Sequence, residues 1–183
     1  LYYNAKSGNC YSGQSNATKA CNFTSTGIKN ATTRNLISDT IYYLGGHNSF
    51  SVYPNQIYEK ERGTTVYSGR PTEWTGKIAL AYPSDYGYAA DLSKCGQNLF
   101  NYNNNTCTSN NWMKAIVAPN YGWLLTPRSG IASNVWYVYS SGGVYYNSYV
   151  YNAYGVAPVL FLNSDANVKS GTGTSSDPYQ ISV

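Results

Sequence analysis

Few side chains in this chain can attack, titrate or hold a metal, and their spacing argues against most chemistry. The one histidine, His47, sits in a Gly-Gly-His-Asn-Ser stretch. A Ser/His/Asp arrangement needs an imidazole oriented by partners, and an isolated His among glycines reads as a loop residue. The acids are Asp39, Glu59, Glu61, Glu73, Asp85, Asp91, Asp165 and Asp177. Glycoside hydrolysis needs two carboxylates across a cleft, and nothing in the spacing favours such a pair. Glu59 and Glu61 alternate with Lys60 and Arg62, which reads as a solvated charged patch. The run from Asn163 to Asn167 carries oxygen atoms suited to calcium but reads as a polar turn, and no EF-hand spacing occurs. Gly171-Thr172-Gly173 lies between no strand and helix and is followed by no Lys-Ser/Thr pair, so it is not a phosphate loop. The expectation is a non-enzymatic chain with no cofactor and no metal.

The four cysteines fall as Cys10 with Cys21 and Cys95 with Cys107. Local pairing is the simplest of the three connectivities that four cysteines permit. Zinc favours closely spaced Cys and Cys/His pairs, which are absent here. Two disulfides imply an oxidising setting, extracellular or at the cell surface. Four Asn-x-Thr sequons, at Asn16, Asn22, Asn30 and Asn104, are expected by chance in so Asn-rich a chain.

The segment from Tyr137 to Tyr154 is where the polar chemistry gathers. It holds seven of the 21 tyrosines, mixed with Ser140, Ser141, Asn147, Ser148 and Asn152, and no charged residue occurs between Arg128 and Asp165. Alternation along strands places Trp136 and Val138 on one face and Tyr137 and Tyr139 on the other. In the next strand, Val144, Tyr146, Ser148 and Val150 would face inward and Tyr145, Asn147, Tyr149 and Tyr151 outward. Tyr offers a large, stiff, amphipathic contact, while Ser and Asn offer adaptable hydrogen bonds, the composition of evolved recognition surfaces. The candidate ligand-binding residues are Tyr137, Tyr139, Tyr145, Asn147, Tyr149, Tyr151, Asn152 and Tyr154.

Composition agrees with a display role. Charged residues are 11% of the 183, well below the roughly 25% of an average soluble domain. The net charge of +4 is spread along the chain, giving no electrostatic footprint for nucleic acid. No apolar run reaches the length of a membrane span. The chain begins at Leu1 without Met, which reads as a mature or trimmed fragment.

The elements that must position these residues form an α+β pattern without domain boundary or repeat: a single domain over 1–183, with 1–30 an irregular, disulfide-pinned segment. Leu36, Ile37, Thr40, Ile41 and Leu44 recur at helical spacing, predicting a helix over 33–44 capped by Thr32 or Thr33 and stopped by Gly45-Gly46. A shorter helix is expected over 55–62, and another from Asn111, with Trp112, Met113, Ile116 and Val117 on its apolar face and Pro119 at its end. Strands are expected at 64–67, 77–82, 122–126, 135–140, 144–151, 156–162 and 179–183, with a hairpin at Ser141-Gly142-Gly143.

The order Gly122-Trp123-Leu124-Leu125-Thr126-Pro127, then Val135-Trp136-Tyr137-Val138, then a Gly-Gly turn, then Gly155-Val156-Ala157-Pro158-Val159-Leu160 resembles bacterial C-type-lectin-like domains of the branch related to formylglycine-generating enzymes. Many members read Gly-Val-Arg-Pro where this chain has Gly155-Val156-Ala157-Pro158. The stretches from Glu61 to Pro71, Trp74 to Lys77 and Tyr82 to Tyr88 are similar to gut-bacterial pilin-like surface proteins. The resemblance implies a C-type-lectin-like fold with two main helices and short, mostly antiparallel strands. The enzyme branch uses cysteines late in the domain, and this chain has none after Cys107; nor does it carry the Glu-Pro-Asn or Gln-Pro-Asp sugar motif of calcium-dependent lectins. Variable proteins of diversity-generating retroelements share this fold and vary near the C-terminal end. Adenine-directed drift of Asn codons toward Tyr and Ser would leave the composition seen from Tyr137 to Tyr154. The resemblance thus implies a ligand-binding or adhesion domain on a bacterial surface, pilus or phage, recognising a protein or glycan. The alternative it carries is a structural, self-assembling pilin-like subunit.

Overall fold

The computed structural model describes residues 28–174 and 176–182. The expected Cys10–Cys21 pairing and most of the N-terminal segment lie outside the described residues. The fold is α+β: short helices and small antiparallel sheets surround one main core. In chain order the elements are α1 (Ala31–Asn35), β1 (Thr40–Tyr43), α2 (Pro54–Glu61), β2 (Glu73–Gly76), β3 (Ala79–Leu80) and α3 (Pro83–Tyr88). A 3₁₀ turn (Leu99–Asn103) follows, then α4 (Asn105–Ser109), α5 (Lys114–Val117), β4 (Gly122–Pro127), β5 (Asn134–Val138) and β6 (Val144–Tyr149). The chain closes with β7 (Pro158–Val159), β8 (Asn167–Ser170) and β9 (Gln180–Ser182).

The predicted helix over 33–44 does not form. Asn30 caps a single turn, accepting from Thr33 N at 3.1 Å, and the chain then extends into β1. Thr40, Ile41, Tyr42 and Tyr43 are β-branched and aromatic, types that suit a pleated surface. Their partner settles the matter: β1 pairs antiparallel with β2, Tyr42 opposite Trp74. Tyr42 is buried while its neighbours Ile41 and Tyr43 are exposed, so the operative period is two. The Gly45-Gly46 pair is needed for close approach rather than to stop a helix. A Cβ on Gly45 would lie 2.3 Å from the Lys60 carbonyl oxygen, and one on Gly46 would lie 2.7 Å from that of Pro127.

The helix α2 matches its predicted position, starting on Pro54 and ending at Arg62-Gly63. Its inward face is Pro54, Ile57 and Glu61, positions three and four apart that share one side. Glu61 is therefore fully buried, and the solvated patch read from Glu59 to Arg62 is corrected for this residue. The helix expected from Asn111 shrinks to α5, one turn long. It buries Met113 and Val117 but leaves Trp112 and Ile116 exposed, so the predicted apolar face is half right. Residues 64–67 are irregular rather than a strand. Helices α3 and α4 and strands β2 and β8 are additional to the sequence-based expectation, while β9 falls within the strand expected at 179–183. The two long helices expected at 33–44 and from Asn111 are thus replaced by several short ones.

The central sheet has the order β4-β5-β6, antiparallel throughout. The predicted hairpin joins β5 to β6: Gly142 takes φ +99°, and Tyr139 N donates to the Gly143 carbonyl at 2.8 Å. Leu124, Trp136, Val138 and Val144 face a core that also contains Ile57, Tyr86, Leu99 and Tyr102. The Cys95–Cys107 disulfide closes a loop against this core. A smaller cluster of Tyr42, Ala79, Tyr82 and Leu125 fills the space between β1 and the sheet.

Candidate functional site: an aromatic face on the central sheet

Trp136, Val138 and Val144 have 0% exposure, as the alternation expected. Their odd-numbered neighbours share the opposite face, but Tyr137, expected outward, is buried there by the rings around it. Tyr137 lies opposite Tyr145 across β5 and β6, and opposite Trp123 across β4 and β5, so the three share one face. Tyr139 extends the row, its ring 5.5 Å from Tyr145.

Two further rings come from the ends of β4 and β6. Tyr121 precedes β4 and meets Tyr139 edge-on at 4.8 Å. Tyr154 stacks on Tyr121 at 4.8 Å and lies 4.5 Å from Trp123. The backbone fixes this placement: Gly155 N donates to the Tyr121 carbonyl at 2.8 Å and Trp123 N donates to the Gly155 carbonyl at 2.9 Å. The six rings therefore form one cluster. Trp123 and Tyr137 are its floor, each 8% exposed, and Tyr139 is the most open ring at 36%. Tyr121, Tyr145 and Tyr154 are half-buried.

Of the eight residues picked out by sequence, the structure brings Tyr137, Tyr139, Tyr145 and Tyr154 together in this cluster. Asn147 and Asn152 border it. Tyr137 OH donates to Asn147 Oδ1 at 3.4 Å, and Asn152 Nδ2 donates to Ser148 Oγ at 2.9 Å and to Tyr154 OH at 3.4 Å. Tyr149 and Tyr151 stand apart. The β5–β6 ladder slips between Val135 and Tyr137, placing an extra residue in β6. Tyr149 then lies opposite Asn134; it and Tyr151 are exposed, as expected, but their rings stack on each other at 5.1 Å instead of joining the cluster. Ser148 is buried and Asn147 exposed, as the alternation expects. Tyr121 and Trp123 were missed by the sequence reading, although Trp123 sits within its predicted strand and Tyr121 is two positions away, on the same side.

The face carries hydroxyls and amides but no formal charge. Hydrogen bonding with Tyr139 is the largest influence raising the Tyr121 hydroxyl above its ordinary range, followed by burial. Burial pushes Tyr137 up to about 12. Both phenols are therefore neutral donors and acceptors at physiological pH.

The groups able to titrate near neutrality do not join this face. The His47 ring stacks on Trp136 at 6.3 Å, and its carbonyl accepts from Trp136 Nε1 at 3.3 Å. Burial, then Lys60, lowers its pKa. Glu61 is sealed under α3, accepting from Ser84 N at 2.9 Å and from Ser84 Oγ at 2.5 Å. The 163–167 stretch is a turn, Ala166 N donating to the Asn163 carbonyl at 3.1 Å. Among the described residues no three His, Cys, Asp or Glu side chains gather as a metal site. A shallow cavity of about 170 Å³ lies elsewhere, lined by Tyr53, Pro54, Tyr88, Leu92 and Gln97 among others.

No curated protein and no solved structure matches the chain. Residues 51–164, which run from α2 to beyond β7 and contain the whole aromatic cluster, match a family described as a domain of unknown function, DUF6273. That match covers more than half of the sequence, and the chain belongs to this family.

Proposed function

We propose that this chain is a non-catalytic recognition domain, displayed on a bacterial surface, pilus or phage, that binds a protein or glycan through the outer face of the β4-β5-β6 sheet. One observation carries the reading: six aromatic rings gather on that face, Tyr139 exposed and Tyr121, Tyr145 and Tyr154 half-buried, in a span whose one charged residue is Arg128. Rigid aromatics over a packed floor give contact area with little side-chain freedom to lose on binding. The Cys95–Cys107 disulfide is compatible with an extracellular setting. The groups a catalytic reading would need are engaged otherwise: His47 stacks on Trp136, and Glu61 accepts from Ser84. The C-type-lectin-like resemblance and the Tyr/Asn/Ser composition support a variable protein of a diversity-generating retroelement. A reverse transcriptase and a near-copy of this segment, differing only at adenines, would accompany the gene; a complete locus lacking both refutes that part.

The test is capture on arrays of extracellular proteins and glycans, comparing the native chain with Tyr121→Ala/Tyr139→Ala. Ligands held by the first and lost by the second, at unchanged thermal stability, are expected. Binding indifferent to this pair refutes the assignment.

A second reading, a self-assembling pilin-like subunit, draws on a different surface. Val156, Leu160, Phe161, Leu162 and Val168 are each more than 40% exposed, and β8 and β9 form a two-stranded sheet of their own. Concentration-dependent association by sedimentation, abolished by Phe161→Ser, favours it.

A further inference from the structure

Resting on the recognition reading above, we infer that the aromatic face binds a neutral saccharide without a metal ion. Charge is the first argument. From Ser129 to Ser164 the chain has no acidic, basic or imidazole side chain. Protein partners are commonly anchored by Arg as well as aromatics and steered by charged rims, and this segment offers neither. A neutral ligand has no such requirement.

Shape chemistry is the second argument. A pyranose presents an apolar C–H face bordered by hydroxyls, so its complement is a ring with donors and acceptors at its edge. The cluster supplies that pairing repeatedly. Tyr121 packs edge-on against Tyr139 and stacks on Tyr154 at the rim, and Asn152 reaches Tyr154 OH and Ser148 Oγ. Asn147 lies beside Tyr137 OH. Amphipathic rings with a few placed polar groups are the composition of small-ligand sites.

Area is the third argument. A standard protein interface takes about 800 Å² and 20–30 residues from each partner. Here Trp123 and Tyr137 are already spent as floor, at 8% exposure each. What remains open is Tyr139 and the half-buried Tyr121, Tyr145 and Tyr154 with their amide border, a footprint suited to a few sugar rings. Among the described residues no three His, Cys, Asp or Glu side chains gather as a metal site, and the groups this face does present, rings, hydroxyls and amides, recognise by stacking and neutral hydrogen bonds.

Affinity gel electrophoresis tests this, with soluble β-glucan, xylan, galactomannan and amylose as neutral probes, polygalacturonate as an acidic one, and EDTA throughout. The proteins are the native chain, Tyr139→Ala, Tyr121→Ala and, as a control, Trp112→Ala, which removes an exposed ring outside the cluster (68% exposed). Melting curves confirm that each variant folds. Retardation by at least one neutral polysaccharide, weakened tenfold or more by Tyr139→Ala or Tyr121→Ala and unchanged in Trp112→Ala, is expected. No retardation by any neutral probe, or retardation only by polygalacturonate, overturns the saccharide. Recovery of retardation when calcium replaces EDTA overturns metal independence. Capture of an arrayed extracellular protein, lost with Tyr139→Ala, in the absence of any polysaccharide binding, overturns the saccharide while the recognition reading stands. If neither class of ligand depends on these tyrosines, both fall.

Discussion

Replacing Glu61 by Gln should make the protein more stable in mild alkali, and the size of the gain follows from the burial. Glu61 is fully enclosed, and burial is the largest influence pushing its pKa from 4.5 to about 8. The Ser84 hydrogen bonds and Arg62 oppose the rise, and Asp85 adds to it. At 1.36 kcal/mol per pH unit, this corresponds to roughly 5 kcal/mol in favour of the neutral form. The folded state therefore holds a proton that the unfolded chain releases between pH 4.5 and about 8. Across that window the native state binds more protons, so this group's contribution to stability declines as pH rises. Below pH 4.5 the group is neutral in both states; above about 8 the full cost of a buried charge is present. Gln keeps an acceptor for Ser84 N and offers its amide to Ser84 Oγ, and it does not ionise. Urea melts of the native chain and Glu61→Gln from pH 4.5 to 9.5 give the difference directly, with contributions common to both cancelling. The difference should lie near zero at the acid end and grow to several kcal/mol in favour of Gln by pH 9. A difference independent of pH, or a Gln variant several kcal/mol weaker at pH 9, would show that Glu61 is held as a carboxylate and refute the reasoning.

Other perturbations have equally definite outcomes. Reducing Cys95–Cys107, which closes a loop of sequence separation 12, should lower stability by roughly 3 kcal/mol in denaturant melts with and without reductant. Gly142→Ala places a Cβ 2.6 Å from Thr108 Cγ2 at φ +99° and should cost about 1–3 kcal/mol in urea titration. Trp136→Ala empties the centre of the core and should cost roughly 3–5 kcal/mol. Trp112→Ala should change stability by no more than about 0.5 kcal/mol, because the ring is exposed; a large loss would restore the buried helical face that the sequence predicts.

Where local signals and tertiary pairing agree, the sequence is legible. Pro54 and Gly63 bracket α2, and the Gly142-Gly143 turn joins two strands whose alternation correctly buries Trp136, Val138 and Val144. The failure at 33–44 has a physical cause: Leu36, Ile37, Thr40, Ile41 and Leu44 fit a helical period, yet pairing of β1 with β2 outweighs it. Helices α3 and α4 are too short for a period of 3.6 to show. Their caps are local and visible only in hindsight: Asp85 accepts from Tyr82 N at 2.9 Å, and Asn104 accepts from Cys107 N at 2.9 Å. The sequons at Asn30 and Asn104 are thus helix caps. The burial of Glu61 was legible in principle, since Pro54, Ile57 and Glu61 share one helical side. The β6 bulge was not, because no residue type in Tyr146-Asn147 announces it. That one extra residue takes Tyr149 out of the ring row of Tyr137 and Tyr145, although Tyr149 and Tyr151 stay exposed as expected, and the inclusion of Tyr121 depends on where β4 lies.

The account's central claim is that the binding surface is the six-ring cluster, bounded by the bulge. Once a ligand is captured, its affinity should be measured by calorimetry for two double variants, Tyr121→Ala/Tyr139→Ala and Tyr149→Ala/Tyr151→Ala. The account predicts that the first loses at least tenfold in affinity while the second binds as the native chain does. Loss confined to the second pair would place the site on the other side of the bulge and contradict it.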